Sequence, residues 1–191
     1  MIDKPIFLSS LIVIAGPCGV GKSTLIKRLR NNNLASLNQL VESELSEFSV
    51  LHFQNAKSIQ KIKKDKLIVH YDLSRFENRS PYLPLKDLIK NSKSTIIVTL
   101  YAPRFILQKR MNKRFKTALR KLLRSPSRKQ LDKVRRWSKR QYRNKAHISL
   151  IYDKWSSFVE DLRIEHYFLE TSGLGDDSLK AYDSSLIEGM H

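Results

Sequence analysis

One stretch restricts the fold more than any other: Leu11-Ile12-Val13-Ile14-Ala15-Gly16-Pro17-Cys18-Gly19-Val20-Gly21-Lys22-Ser23-Thr24. An apolar, mostly β-branched run of strand length ends in the spacing G-x-x-x-x-G-K-S. Leu25, Ile26 and Leu29 then recur as they would on one face of a helix. A buried strand that turns through glycines into a helix N-terminus is suited to hold an anion. The glycines admit positive φ and let backbone N–H groups close around an oxyanion, and the helix N-terminus adds its own donors. The candidate binding residues are Gly16, Gly19, Val20, Gly21, Lys22, Ser23 and Thr24. The Lys22 ammonium would reach the β- and γ-phosphates of a nucleotide, and the Ser23 hydroxyl would ligate Mg²⁺. Cys18, inside the loop, reads as a small filler and not as a nucleophile.

The rest of the chain must supply a core around this strand, and 191 residues with 41% hydrophobic content suffice for a single domain spanning residues 1–191, with one insertion inside it. A single cysteine rules out an intramolecular disulfide and fits a reducing compartment. The apolar run after Lys4 has a poor cleavage context at Pro17-Cys18 and is too short for a membrane span, so a soluble, cytoplasmic protein without a membrane partner is expected.

The net charge is +18, but it is concentrated. Of the 36 Lys and Arg, 18 fall within residues 104–145, against one acid there, Asp132. The remainder of the chain carries 18 basic and 17 acidic residues and is nearly neutral. Any account of the charge therefore concerns that one segment.

Periodicity predicts the other elements. A first helix over Lys22 to Arg30 stops at Asn31-Asn32-Asn33, followed by helical spacing over residues 34–47, a short strand over Phe48 to Phe53 and a basic-faced helix over Ser58 to Lys64. Leu67-Ile68-Val69-His70-Tyr71-Asp72 reads as a strand ending in an acid, and Asp72 is the candidate partner for Mg²⁺ beside the glycine loop. His70, mid-strand, reads as a core histidine. A short helix with Leu85, Leu88 and Ile89 precedes a strand over Ser94 to Leu100, apolar enough to be buried on both faces. Pro103 can open a helix over Arg104 to Arg124 with Leu107, Met111, Phe115, Ala118, Leu119 and Leu122 inward. Ser125-Pro126-Ser127 breaks it, and Ser127 with Gln130 forms a capping box for a second basic helix to about Lys145. An amphipathic helix from His147 carries Trp155 and its aromatic neighbours as core. A strand over Glu165 to Glu170 follows, then a closing helix capped at Asp176 or Asp177 and carrying Leu179, Tyr182 and Leu186. This alternation predicts an α/β fold: a parallel sheet of about five strands flanked by helices, with residues 104–145 as a basic helical insertion.

The glycine loop, a strand ending Tyr71-Asp72-Leu73-Ser74-Arg75, and a strand-Pro-helix carrying Arg110-x-x-x-Arg114 before an Arg-rich helical insert occur in that order. In this the chain resembles the P-loop kinases of the nucleoside-monophosphate-kinase type, of which adenylate kinase is the familiar member. The resemblance implies ATP and Mg²⁺ as cofactors, with Lys22 and Ser23 at the phosphate and magnesium positions, Asp72 as the acid and Arg75 as the arginine shortly after it. It also implies Arg110 and Arg114 as the pair entering a mobile lid, and Arg135 or Arg136 as the arginine returning from it. Lys22, Asp72, Arg110, Arg114 and Arg135 are then the catalytic set. The loop reads Gly-Lys-Ser-Thr where adenylate kinases have Gly-Lys-Gly-Thr, a form shared with kinases of sugars, polynucleotides and other small molecules. Residues 31–66 carry no nucleotide-acceptor signature.

Two functions follow. In the first, the chain is an ATP-dependent phosphotransferase acting on an anionic small-molecule acceptor, its surplus lid charge steering substrates. In the second, residues 104–145 bind nucleic acid, as in a polynucleotide kinase or a nucleic-acid-dependent NTPase. A third reading, sulfuryl transfer, fits the Gly-Lys-Ser-Thr loop less well.

Overall fold

A computed structural model describes residues 7–30, 44–53, 62, 64–75, 83–171 and 179–181. Its elements run β1 (Leu8–Gly16), α1 (Lys22–Arg30), a 3₁₀ turn (Leu45–Glu47), β2 (Ser49–His52), β3 (Lys66–Asp72), a 3₁₀ turn (Leu73–Arg75), α2 (Leu83–Lys90), β4 (Ser92–Tyr101), α3 (Arg104–Arg124), α4 (Arg128–Glu160), β5 (Glu165–Glu170) and β6 (Leu179–Ala181). The strands form one sheet in the order β2-β3-β1-β4-β5-β6. The first five in that order are mutually parallel, and β6 pairs antiparallel with β5. This is the α/β architecture that the alternating pattern predicts.

β1 is central because it has no polar face to expose. Leu11 through Ala15 are all 0% exposed, and only a strand paired on both edges and covered on both faces reaches that. In-register pairing sets Gly16 opposite Asp72 on β3 and Ala15 opposite Thr99 on β4. The carboxyl ends of β1, β3 and β4 therefore converge on one edge of the sheet. The chain passes from β1 to strands on either side of it there, which is the crevice where open parallel sheets hold their ligands.

One buried cluster joins the sheet to α1, α2, α3 and the second half of α4. Leu85, Leu88 and Ile89 of α2 turn inward as their spacing predicts. Trp155 and Tyr152 of α4 lie fully buried on the sheet. The Trp155 indole N–H donates to Thr99 Oγ1 at 2.7 Å, and the Tyr152 hydroxyl donates to the Leu100 carbonyl at 2.9 Å. These aromatics are core, as their helical spacing implies.

α3 and α4 form a helical hairpin. Asn112 pairs with Gln141 and Arg114 with Trp137, an antiparallel order. Ser127 caps α4 by accepting from the Gln130 N–H at 3.2 Å. The two helices expected on either side of residue 146 are one element with a kink at His147 (φ −135°, ψ 20°), so a basic half and a core-packed half share an axis that bends between them.

Several expectations meet a different outcome. Leu45–Glu47 is a 3₁₀ turn and not the end of a helix, while residues 34–43 lie outside the described set. Ile62 and Lys64 are not helical, although Ile62 does pack on the core; residues 58–61 and 63 of the expected basic-faced helix lie outside it. The closing helix is contradicted at Leu179–Ala181, which extends the sheet as β6. Three residues beside an open edge of β5 satisfy that edge's backbone groups, a gain that helical spacing cannot register. Asp176, Asp177, Tyr182 and Leu186 lie outside the described residues, as does the Asn31-Asn32-Asn33 stop. Among the described residues no helix is long and apolar enough to cross a membrane.

Candidate functional site

The loop between β1 and α1 is held in a shape that needs its glycines. Gly16, Gly19 and Gly21 have φ of +148°, +96° and +117°. At Gly16 a Cβ would sit 2.8 Å from the Leu100 carbonyl oxygen, so the loop presses against β4 as well as turning sharply. The loop's own hydrogen bonds run from Val20 N to Pro17 O at 3.4 Å, and from Thr24 N and Leu25 N to Gly21 O at 2.9 and 3.0 Å. These bonds do not use the N–H groups of Gly21, Lys22 and Ser23, which open α1.

Lys22 is only 4% exposed. Its ammonium donates to Gly16 O at 2.6 Å and Pro17 O at 2.8 Å, and lies 3.7 Å from Asp72 Oδ1. Burial pulls its pKa below the usual lysine value, while Asp72 acts in the opposite direction. Asp72 is itself buried at the end of β3, where Oδ1 accepts from the Ser74 N–H at 3.2 Å. Ser74 in turn receives the Cys18 N–H at 2.7 Å on its hydroxyl, tying the loop to the turn after β3. The sequence separates these residues by about fifty positions, and the β1–β3 register brings them together.

Ser23 is exposed at the start of α1, with its hydroxyl 3.4 Å from His70 Nε2. His70 is half-buried, its ring 4.7 Å from that of His52. Burial, then the Lys22 charge and His52, push its pKa down to about 4, so it stands neutral beside Ser23 at pH 7. His70 thus adjoins the site, which its mid-strand position did not indicate.

Of the two arginines expected to enter from α3, Arg110 is engaged in bonds that hold the loop. It donates to Val20 O and Thr171 Oγ1, both at 3.1 Å, and to Thr171 O. Thr171 Oγ1 lies 2.5 Å from Val20 O, and the Thr171 N–H donates to Tyr101 O at 2.9 Å. Arg110 and Thr171 together fasten the end of β5 to the glycine loop. Arg114 instead lies over the Trp137 ring, 5.5 Å from its centroid.

Arg135 is exposed on α4, and Arg136 donates back to Asp132 O at 3.3 Å. Among the described side chains the arginine of α4 that reaches the loop is Arg140, whose guanidinium stands 3.6 Å from Cys18 Sγ and 5.3 Å from the Trp137 centroid. Trp137 thus carries two arginines, one from each helix of the hairpin. Sequence reading missed Arg140, Trp137 and Thr171 in these positions. The one available signal was that Trp137 and Arg140, three apart, share a helix face. Cys18 is a buried filler as expected, and burial raises its thiol pKa.

Between the loop, α1 and the hairpin lies a cavity of about 630 Å³. Among the described residues it is lined by Gly19, Gly21 and Thr24 of the loop and α1, by apolar Leu25, Ala118, Leu169 and Trp137, and by the cations Arg28, Arg110, Lys113, Arg114, Lys121 and Lys133, with no carboxylate. A cavity of this size whose described charged residues are all cations suits an anionic ligand. Among the described residues no group of three or more His, Cys, Asp or Glu is placed to hold a metal, and Ser23 and Asp72, the pair expected at Mg²⁺, are not among the residues that line this cavity.

The fold and site define an α/β protein with a glycine loop at the carboxyl edge of a five-stranded parallel sheet. Compared with known proteins, the chain matches no family model and no curated protein.

Proposed function

We propose that the chain is an ATP-dependent phosphotransferase of the P-loop kinase type, resembling the nucleoside-monophosphate kinases, that moves the γ-phosphoryl group to an anionic small-molecule acceptor. The observation that carries this reading is the meeting of Lys22 and Asp72 beneath a positive-φ glycine loop whose flanking cavity, among the described residues, has cations as its only charged lining.

Each residue has a role set by its position. The N–H groups of Gly21, Lys22 and Ser23 donate to phosphate oxygens. Lys22, now on Gly16 O and Pro17 O, exchanges those carbonyls for the β- and γ-oxygens. Ser23 and Asp72 would hold Mg²⁺, which supplies charge neutralisation on the transferring group. Arg114 and Arg140, carried by Trp137, bring positive charge over the loop from the hairpin, which serves as the lid. The lid needs about three or four arginines for this work, fewer than the segment contains.

The test is turnover of Mg²⁺-ATP by the native protein and by Lys22→Met, which keeps the aliphatic stem in its buried slot. The native protein is expected to gain several degrees of thermal stability with saturating Mg²⁺-ATP, and to consume ATP when a panel of phosphorylatable metabolites supplies the acceptor. Lys22→Met is expected to melt as a folded protein and to lose turnover by at least a hundredfold. A folded variant with native turnover would remove the loop from the mechanism.

A further inference from the structure

The outward face of α3 is not accounted for by the cavity. Lys109, Lys113, Lys116, Arg120 and Arg124 recur at spacings of three and four, which sets them on one stripe of the helix. That stripe lies diametrically opposite Leu107, Met111 and Ala118, the residues α3 buries. All five cations are exposed, and at 1.5 Å per residue they span about 22 Å. Four of them line a shallow groove of about 560 Å³ with Gln108, Asn112 and Thr117, closed at one end by Phe105, which is 68% exposed. Among the described residues no carboxylate lines the groove, and α3 has no acidic residue in its 21.

We propose that this stripe is a docking track for single-stranded nucleic acid. The charge complementarity is specific in form: a straight file of cations about one helical turn apart matches a strand's row of phosphates, with amide and hydroxyl side chains between them and an exposed aromatic ring at the end on which a base can stack. An anionic membrane surface fits less well, because insertion needs a continuous apolar face. α3 turns Leu107, Met111 and Ala118 inward, and its exposed apolar side chains, Phe105 at one end and Leu119 and Leu123 at the other, stand about 21 Å or more apart along the axis and make no continuous face. The track does not rest on the phosphotransfer reading. Lys109, Lys116 and Arg120 lie outside the cavity lining, and only Lys113 and Thr117 border both.

The experiment is fluorescence anisotropy of a labelled random-sequence 20-nucleotide strand titrated with the full chain at 50 to 200 mM salt. A parallel series uses the triple variant Lys109→Gln, Lys116→Gln, Arg120→Gln, checked for an unchanged melting temperature. Five phosphate contacts give the native protein a salt slope near −3.5 and roughly a hundredfold loss of affinity across that range, and removing three contacts flattens the slope by about 2. Lys22→Met should bind the strand as the native protein does, so loss of catalysis and loss of docking are separable. Equal slopes for native and triple variant would overturn the track. So would uptake of the protein by vesicles of anionic phospholipid under conditions where the strand is not bound.

Discussion

At the scale of single residues, the glycine loop offers the sharpest comparison. Gly16 and Gly21 both have positive φ, yet a Cβ at Gly16 would strike the Leu100 carbonyl at 2.8 Å, whereas at Gly21 the nearest atom, on Thr171, is 3.8 Å away. Gly21→Ala therefore incurs only backbone strain, about 1–2 kcal/mol, while Gly16→Ala adds a clash that backbone cannot relieve and should cost about 3 kcal/mol. Thermal denaturation should show Gly16→Ala melting several degrees below Gly21→Ala. Arg110 and Arg114 separate in the same way. Arg110→Ala removes the guanidinium bonds to Val20 and Thr171, leaving the direct Thr171–Val20 bond, and is expected to lower both the melting temperature and ATP turnover. Arg114→Ala leaves those bonds in place and should lower turnover with little change in melting. Equal melting losses would show that the two arginines do the same work.

At the scale of elements, α4 joins two functions across its kink. Its second half seats Trp155 on Thr99, whose oxygen accepts the indole N–H and whose own proton can then go to His166 Nε2, 2.7 Å away on β5. That chain requires neutral His166, and burial pushes its pKa down to about 4. A folded pKa below the unfolded value of about 6.5 means that the unfolded chain binds the extra proton between them, so the contribution is complete above pH 6.5 and is lost as pH falls toward 4. His166 alone should contribute roughly 2 kcal/mol less stability at pH 5 than at pH 7, and half-buried His70, also held near 4, adds to the fall in the same direction. Urea denaturation should find that fall, and His166→Gln should reduce it by about the His166 share. The first half of α4 presents Trp137 to Arg114 and Arg140. Trp137→Leu keeps an apolar wall but removes the ring face. It is expected to lower kcat several-fold with Trp137→Phe recovering part of the loss, and identical kinetics for Leu and Phe would reduce Trp137 to a packing residue.

At the scale of the whole molecule, a nearly neutral sheet domain carries a helical hairpin of high positive charge. Cations crowded on two adjoining helices repel one another, and salt screens them over about 10 Å at 0.1 M. Raising sodium chloride from 20 to 200 mM should therefore raise the melting temperature by a few degrees. Inorganic phosphate at equal ionic strength should raise it further by binding in the cationic cavity.

Much of the fold was legible because it depends on neighbours in sequence. The bounds of α1, α3 and β5 follow from local periodicity, and the capping of α4 from Ser127 and Gln130. The glycine spacing alone marked the loop, since positive φ is a property of the residue itself. Leu179–Ala181 misled because its strand exists only where β5 offers an edge. The candidate site divides along the same line. By itself the sequence determined Lys22, Ser23 and the strand that ends at Asp72. Only the tertiary structure decided that Arg140 and not Arg135 reaches the loop, that Arg110 is bound to Thr171, and that Trp137 carries two arginines. Those contacts join residues far apart in the chain, and helix packing, which no local pattern encodes, sets which face of a uniformly basic helix turns inward.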